Sequence, residues 1–354
     1  MAAGVVSVGK RAGARRPGIW RRVRRGVLVL AAAVGLGGVL LALYVARTWN
    51  RVWDAPIPAI HASSDPAVIA RGEYLVYGPA HCVECHAGST DDVRAATDAG
   101  QRVALTGGKR FAAPPLGVIY SRNITPDLET GIGRYTDGEI ARLLRYSVRP
   151  DGKASIRLLM PYGDMSDADL TAVVSFLRAQ APITHVVPEN DFTLIGKVVK
   201  SLAPAFKPRE RVNPPALAPE ERPTPQRGEY LARSVANCVG CHTPLDPVTL
   251  RATGPEFSGG SQMEPADAAG VDRTTWFRVP NLTPAHGSAL SRFPDRATFI
   301  ARFQRGGRTY DGSPMPWECF GRMNDTDAGA LYEFFRTLAP QPGPTGEAAF
   351  RKES

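Results

Sequence analysis

Acidic residues are missing from the first 25 positions. That segment instead holds Lys10, Arg11, Arg15, Arg16, Arg21, Arg22, Arg24 and Arg25, eight of the nine net positive charges of the 354-residue chain. Everything after residue 25 is nearly neutral and has no basic stripe, so the positive total gives no reason to expect a nucleic-acid partner. Alternating apolar and polar runs of strand length are also lacking, and the expected fold class is all-α. No residue cluster argues for a general base, a nucleophile or a substrate pocket. Cysteine is scarce, five residues in all, which makes the places where it occurs informative.

Long apolar runs are absent with one exception. Residues 26–46, GVLVLAAAVGLGGVLLALYVA, contain no charge over 21 positions and follow directly on the basic segment. That length spans a bilayer. The Lys/Arg excess before it holds the N-terminus in the cytoplasm and sends the rest of the chain across a bacterial inner membrane. A cleavable signal peptide is the nearer rival, but Tyr44-Val45-Ala46 fits a cleavage site poorly. The expected plan begins with a cytoplasmic segment 1–25 and a transmembrane helix 26–46.

The exported part repeats itself. RGEYLVYGPAHCVECH at 71–86 returns as RGEYLARSVANCVGCH at 227–242, an offset of 156. Asn123-Ile124-Thr125-Pro126 returns as Asn281-Leu282-Thr283-Pro284, and Met160-Pro161-Tyr162 as Met315-Pro316-Trp317. The run from Met165 returns from Met323. The order of landmarks is kept, so small changes of offset read as loop insertions and deletions. Two copies of one domain are expected, over 66–180 and 222–340. Between them lies a Pro-rich, semi-rigid linker, 181–221, in which TLIGKVVKSLAPAF is a candidate short helix. The tail, 341–354, is expected to be mobile. In each copy a helix carrying RGEYL opens the domain. A second helix closes it, capped by Ser166 or Asn324 with Asp169 or Asp327 three residues on.

Cys82-Val83-Glu84-Cys85-His86 and Cys238-Val239-Gly240-Cys241-His242 carry the chemistry. Two thiols three residues apart can bond the two vinyl groups on one side of a porphyrin, and the adjacent His is then held beneath the iron. Zinc would bring its C-x-x-C pairs 15 to 20 residues apart, and a disulfide oxidoreductase would set the motif in a βαβ unit. The spacing of 156 does not fit zinc, and no βαβ setting is visible for an oxidoreductase. Two covalent haem c groups are therefore expected, on Cys82 and Cys85 and on Cys238 and Cys241, with His86 and His242 as iron ligands. A Met thioether is the usual sixth ligand of an electron-transfer haem. Met160 and Met315 precede proline, which keeps them out of helix and on loops, and they are the expected ligands. Met165 and Met323 precede N-caps, where an apolar residue packs on the helix. Cys319 is expected to be a small buried residue beside the second haem, and the Asn-x-Thr-Pro segments are expected to be turns. His81 is not expected to bind iron, because Asn237 replaces it in the second copy.

These motifs resemble tandem class I c-type cytochrome domains, as in the di-haem and tri-haem cytochrome subunits of periplasmic dehydrogenases, including alcohol and gluconate dehydrogenases. In that family the first helix, with a Gly and an aromatic like Gly72/Tyr74 and Gly228/Tyr230, crosses the last, with residues like Phe176 or Phe334. Met-Pro-aromatic before the capped helix is family-like as well. The tri-haem subunits have a third C-x-x-C-H that this sequence lacks, so a particular partner enzyme does not carry over. The resemblance implies a carrier of single electrons between redox proteins, donor and acceptor, such as a periplasmic dehydrogenase or a terminal oxidase. The rival expectation is a haem enzyme, a di-haem peroxidase or sulfur-compound dehydrogenase, with one open iron.

Overall fold

The uncharged run 26–46 forms the body of helix α1, which spans Gly18–Thr48 with none of its residues buried. The structure, a computed structural model, describes Gly4 and residues 18–352 except 100, 158, 211, 247, 248 and 250. Most of the basic segment 1–25 therefore lies outside the described residues. The chain divides into two units, Met1–Trp49 and Asn50–Ser354. Only α1 is long and apolar enough among the described helices to cross a membrane.

In the second unit the first repeat holds α2 (Pro66–Tyr77), α3 (Val83–His86), α4 (Thr90–Asp98), strands β1 (Arg110–Ala113) and β2 (Gly117–Tyr120), α5 (Asp137–Tyr146) and α6 (Asp167–Ala179). Between the repeats come β3 (Asp191–Phe192), α7 (Leu194–Leu202) and a 3-10 turn, Pro204–Phe206. The second repeat holds α8 (Pro225–Tyr230), which continues as a π-turn over Leu231–Val235, then α9 (Cys238–His242), β4 (Gln262–Met263) and β5 (Thr275–Arg278). It ends with α10 (Arg296–Gln304), α11 (Trp317–Phe320), α12 (Asp325–Thr337) and β6 (Ala349–Arg351).

The opening helices start alike because the same chemistry precedes them. Asp65 accepts a hydrogen bond from Ala67 N and Thr224 one from Arg227 N, and each is followed by proline at the first helical position. Proline has no N–H to leave unsatisfied there. The closing helices are capped by Ser166, accepting from Asp169 N, and by Asn324, accepting from Asp327 N. In each repeat the opening helix crosses the closing one at glycine. A Cβ on Gly72 would lie 1.9 Å from Ala172 O, and one on Gly228 1.9 Å from Ala330 O. Only a residue without a side chain permits that approach.

The fold is largely helical, with two small sheets that the all-α expectation left out. The order is β1-β2-β3 in one and β4-β5-β6 in the other, antiparallel throughout. Their strands run two to four residues, too short for alternation to show in the sequence, and the third strand of each comes from far along the chain. Residues 349–351 are that third strand in the second sheet, pairing with Thr275–Phe277 where a mobile tail was expected. Between the repeats, Phe206, Ala203 and Ala205 form a small apolar cluster with Phe192 and Val199.

One apolar core runs through both repeats. Where they meet, each supplies the same polar residues to the other. Arg71 pairs with Asp169 of its own repeat at 2.9 Å, and Tyr230 donates to that Asp169 from the other repeat at 2.7 Å. Reciprocally, Arg227 pairs with Asp327 at 2.9 Å and Tyr74 donates to Asp327 at 2.7 Å. Asp169 is 3% exposed and Asp327 0%. A buried carboxylate is tolerable only when its partners are in place, so these residues set how the two repeats fit together. Burial, followed by the facing Asp charge, pushes both tyrosine hydroxyls above their ordinary value.

Candidate haem-binding sites

Each C-x-x-C-H sits on a single short turn of helix, α3 and α9, directly after a left-handed residue. His81 has φ +42° and Asn237 φ +53°. Asn tolerates this region well and His is among the less disfavoured residues there. His81 turns its Nδ1 to Pro79 O at 3.1 Å. None of the five cysteines forms a disulfide. Burial pushes the Cys82 and Cys238 thiols up to about 12, and that of Cys85 and Cys241 upward too.

The histidines show what the turns are for. His86 Nδ1 lies 2.7 Å from Arg122 O, and His242 Nδ1 lies 2.8 Å from Pro280 O. A carbonyl oxygen can only accept, so Nδ1 carries the hydrogen and Nε2 keeps its lone pair. That tautomer and orientation are what a metal-ligating imidazole needs. Burial lowers the pKa of both rings, that of His242 to about 4, which holds them neutral and able to ligate. Two thiols on one turn, a neutral His beside the second and a Nε2 free of hydrogen fit haem c at both places.

Two sets of residues that serve these turns escaped the sequence reading. The carbonyl that receives each His belongs to the residue before Asn-x-Thr-Pro. Asn123 Oδ1 accepts from Thr125 N at 3.0 Å and its Nδ2 donates to Ile183 O at 2.8 Å. Asn281 Oδ1 accepts from Thr283 N at 2.7 Å and its Nδ2 donates to Gln341 O at 2.8 Å. Both asparagines are buried, so the segment is more than a turn: it pins the carbonyl that orients the imidazole. On the other side, Gly107 N and Gly259 N each donate to the carbonyl of the site His at 2.7 Å, with φ +70° and +73°. A Cβ there would meet the backbone of Arg122 or Pro280 within 2.5 Å. The signal was available, since Gly107-Gly108 and Gly259-Gly260 follow the two motifs as paired glycines.

Met160 and Met315 lie on irregular chain and pack partly buried against the shared core, while Met165 and Met323 are 1% and 3% exposed. The Met315 carbonyl accepts from Trp317 N at 2.8 Å and from Arg308 Nη1 at 3.1 Å, and Arg308 is itself fixed by Glu318 at 2.6 Å. In the first repeat the buried Arg145 donates to Gly163 O at 3.1 Å and to Met165 O. Cys319 is buried as expected, but not where expected. Its thiol lies 3.6 Å from Glu84 Oε1, so it faces the first attachment turn. The cause is an insertion. Five residues separate Trp317 from Met323, where two separate Tyr162 from Met165, and the longer segment reaches across to the other repeat.

No protein-family model matches the chain. It is 30% identical over 241 residues to a di-haem cytochrome c-type protein of Cereibacter sphaeroides, covering 63% of this chain and 72% of that one. It is 29% identical over 291 residues to the cytochrome c subunit of gluconate 2-dehydrogenase from Pantoea cypripedii, covering 78% of this chain and 60% of the subunit. To the cytochrome c subunit of a quinone alcohol dehydrogenase from Gluconobacter oxydans it is 30% identical over 314 residues, covering 84% and 55%. The chain thus spans between half and two thirds of the gluconate, fructose and alcohol dehydrogenase cytochrome subunits it matches. The fold is largely helical and carries two matched C-x-x-C-H turns, and the chain belongs to the di-haem c-type cytochromes. Its relatives support an electron-transfer role.

Proposed function

We propose that the chain is a membrane-anchored di-haem cytochrome that passes single electrons from a periplasmic dehydrogenase to a further redox protein such as a terminal oxidase. The observation that carries this reading is the paired geometry at His86 and His242, where Nδ1 is spent on a backbone carbonyl and Nε2 is left for iron in both repeats. Cys82, Cys85, Cys238 and Cys241 would hold the two haems as thioethers, and Met160 and Met315 would be the sixth ligands. A bound haem supplies the one-electron centre. The chain supplies the neutral imidazole, the carbonyl that fixes its direction and an apolar surround that keeps water out. The two repeats, 66–180 and 222–340, would be the two haem domains.

Helix α1, with eight positive charges before or in its first turns, would anchor the chain in the inner membrane and leave the repeats in the periplasm. The dehydrogenase partner is favoured by relatives that are cytochrome subunits of gluconate, fructose and alcohol dehydrogenases. Mass spectrometry of protein extracted with acid acetone tests the cofactor directly: two haems should stay covalently attached, and one or none refutes the assignment. Salt-washed membranes should retain the protein. A mature chain starting near residue 47 in the soluble fraction would show that α1 is removed.

A further inference from the structure

The two attachment turns are alike in sequence and unlike in surroundings. Val83 and Val239 occupy the same place in C-V-x-C-H, yet Val83 is 2% exposed and Val239 is only partly buried. Cys85 is partly buried where its counterpart Cys241 is exposed. The difference comes from the insertion in the second repeat, which folds as α11 and lies on the first turn. Phe320 meets the His81 ring edge-on at 5.5 Å, Cys319 faces Glu84 at 3.6 Å, and Glu318 pairs with Arg94 at 3.6 Å. Arg322 donates to Thr97 Oγ1 at 3.3 Å and to Gln101 O at 3.2 Å. A narrow cleft between the two surfaces is lined by Val83, Val93, Thr97, Glu318, Cys319 and Arg322. The second turn has Gly240 where the first has Glu84, and a Cβ there would run into the Asn237 side chain at 2.5 Å.

We infer that the insertion is a cap on the first attachment turn, and that an outside redox protein meets the chain at the second turn, around Cys241. The inference rests on the reading of both turns as haem sites and adds an order of access to it. A redox protein that exchanges electrons needs close approach to a haem edge. Residues 317–322 lie over the first C-x-x-C-H turn, and among the described residues no such segment covers Cys241.

The test uses the full haem-loaded chain in detergent, with a soluble gadolinium chelate as the probe. In the ferric protein, the shifted methyl resonances of one haem should be lost to broadening while those of the other persist. Deleting residues 318–320, which restores the spacing of the first repeat, should cause loss of the second set as well. Equal broadening of both sets in the unmodified protein overturns the inference, as does a protected set that the deletion leaves protected. Thiol titration serves if the deletion variant does not fold. The unfolded protein should show one thiol per chain, that of Cys319, and the native protein none. Rapid alkylation of native Cys319 overturns the cap. Three or five thiols in the unfolded protein would instead show that a haem site had been misread.

Discussion

Replacing Gly72 by alanine adds one methyl group at the tightest point of the first repeat. Measured alone on a helix, the change should help, since alanine is favoured over glycine by about 1 kcal/mol in a helix interior. The tertiary contact reverses the sign. The new Cβ would lie 1.9 Å from Ala172 O, 2.5 Å from Ala172 C and 2.7 Å from Phe176 Cβ. Two of these are backbone atoms of α6 and cannot rotate away. Ordinary contact begins near 3.4 Å, so α2 and α6 must part by roughly 1.5 Å at their crossing, loosening the fully buried Leu75 and Leu170 on either side. Overpacking of this kind costs about 1 to 3 kcal/mol even where the structure can adjust, and here the expected net loss is about 3 kcal/mol or more. Gly228→Ala should behave alike. Gly329→Ala is the control, because its Cβ would meet only side-chain atoms, the nearest being Arg296 Cδ at 3.2 Å. Urea unfolding followed by far-ultraviolet circular dichroism reads all three. A Gly72→Ala protein within about 1 kcal/mol of the unmodified one, or a Gly329→Ala protein equally damaged, would refute the crossing argument.

Tyr230→Phe and Tyr74→Phe each remove a hydrogen bond to a buried carboxylate and should cost about 1.5 to 3 kcal/mol in the same assay. Each hydroxyl also accepts from the N-cap N–H of the facing helix, Tyr230 from Ser166 N at 3.0 Å and Tyr74 from Asn324 N at 3.4 Å, so Tyr230→Phe, which loses the shorter bond, should cost more; two neutral substitutions would dismiss the inter-repeat contact. Met160→Ala and Met315→Ala should each open one haem to carbon monoxide and lower its potential. Met165→Ala or Met323→Ala should leave spectra unchanged and cost about 2 to 5 kcal/mol of packing, so a spectral change in these would exchange the roles of the pairs. Rapid carbon monoxide binding by the unmodified protein would favour the haem-enzyme reading. Asp137 gives the pH dependence: burial raises its pKa, but the Ala62 N–H and Arg178 outweigh this and hold it below 3.8. A depressed carboxylate stabilises the fold above its unfolded pKa and ceases to do so as pH falls through its folded one. Asp137→Asn should therefore unfold earlier at pH 7, with the gap closing as pH falls below about 4; a gap that stays constant as the pH is lowered through the acid range would exclude the charge as its cause.

The chemistry was legible in the sequence because it is local. Cys82 to His86 and Cys238 to His242 each fall on one short helical turn, so five consecutive letters mark the candidate site. The apolar run of α1 and the caps at Ser166 and Asn324 are equally local, set by composition and by the first turn of a helix. Strands of two to four residues carry too little pattern to be read, and their pairing with residues 191–192 and 349–351 is a matter of where the chain returns in space. The same holds for the carbonyls of Arg122 and Pro280, which orient the histidines from 36 and 38 residues away. Sequence repetition marked Asn123 and Asn281 as shared without saying what they hold. Cys319 shows the limit most clearly. It was expected beside the second haem, and only the packing of one repeat on the other brings its thiol to Glu84. Short-range chemistry is written in the order of residues, whereas the meeting of two repeats depends on surfaces that each assembles from distant parts of the chain.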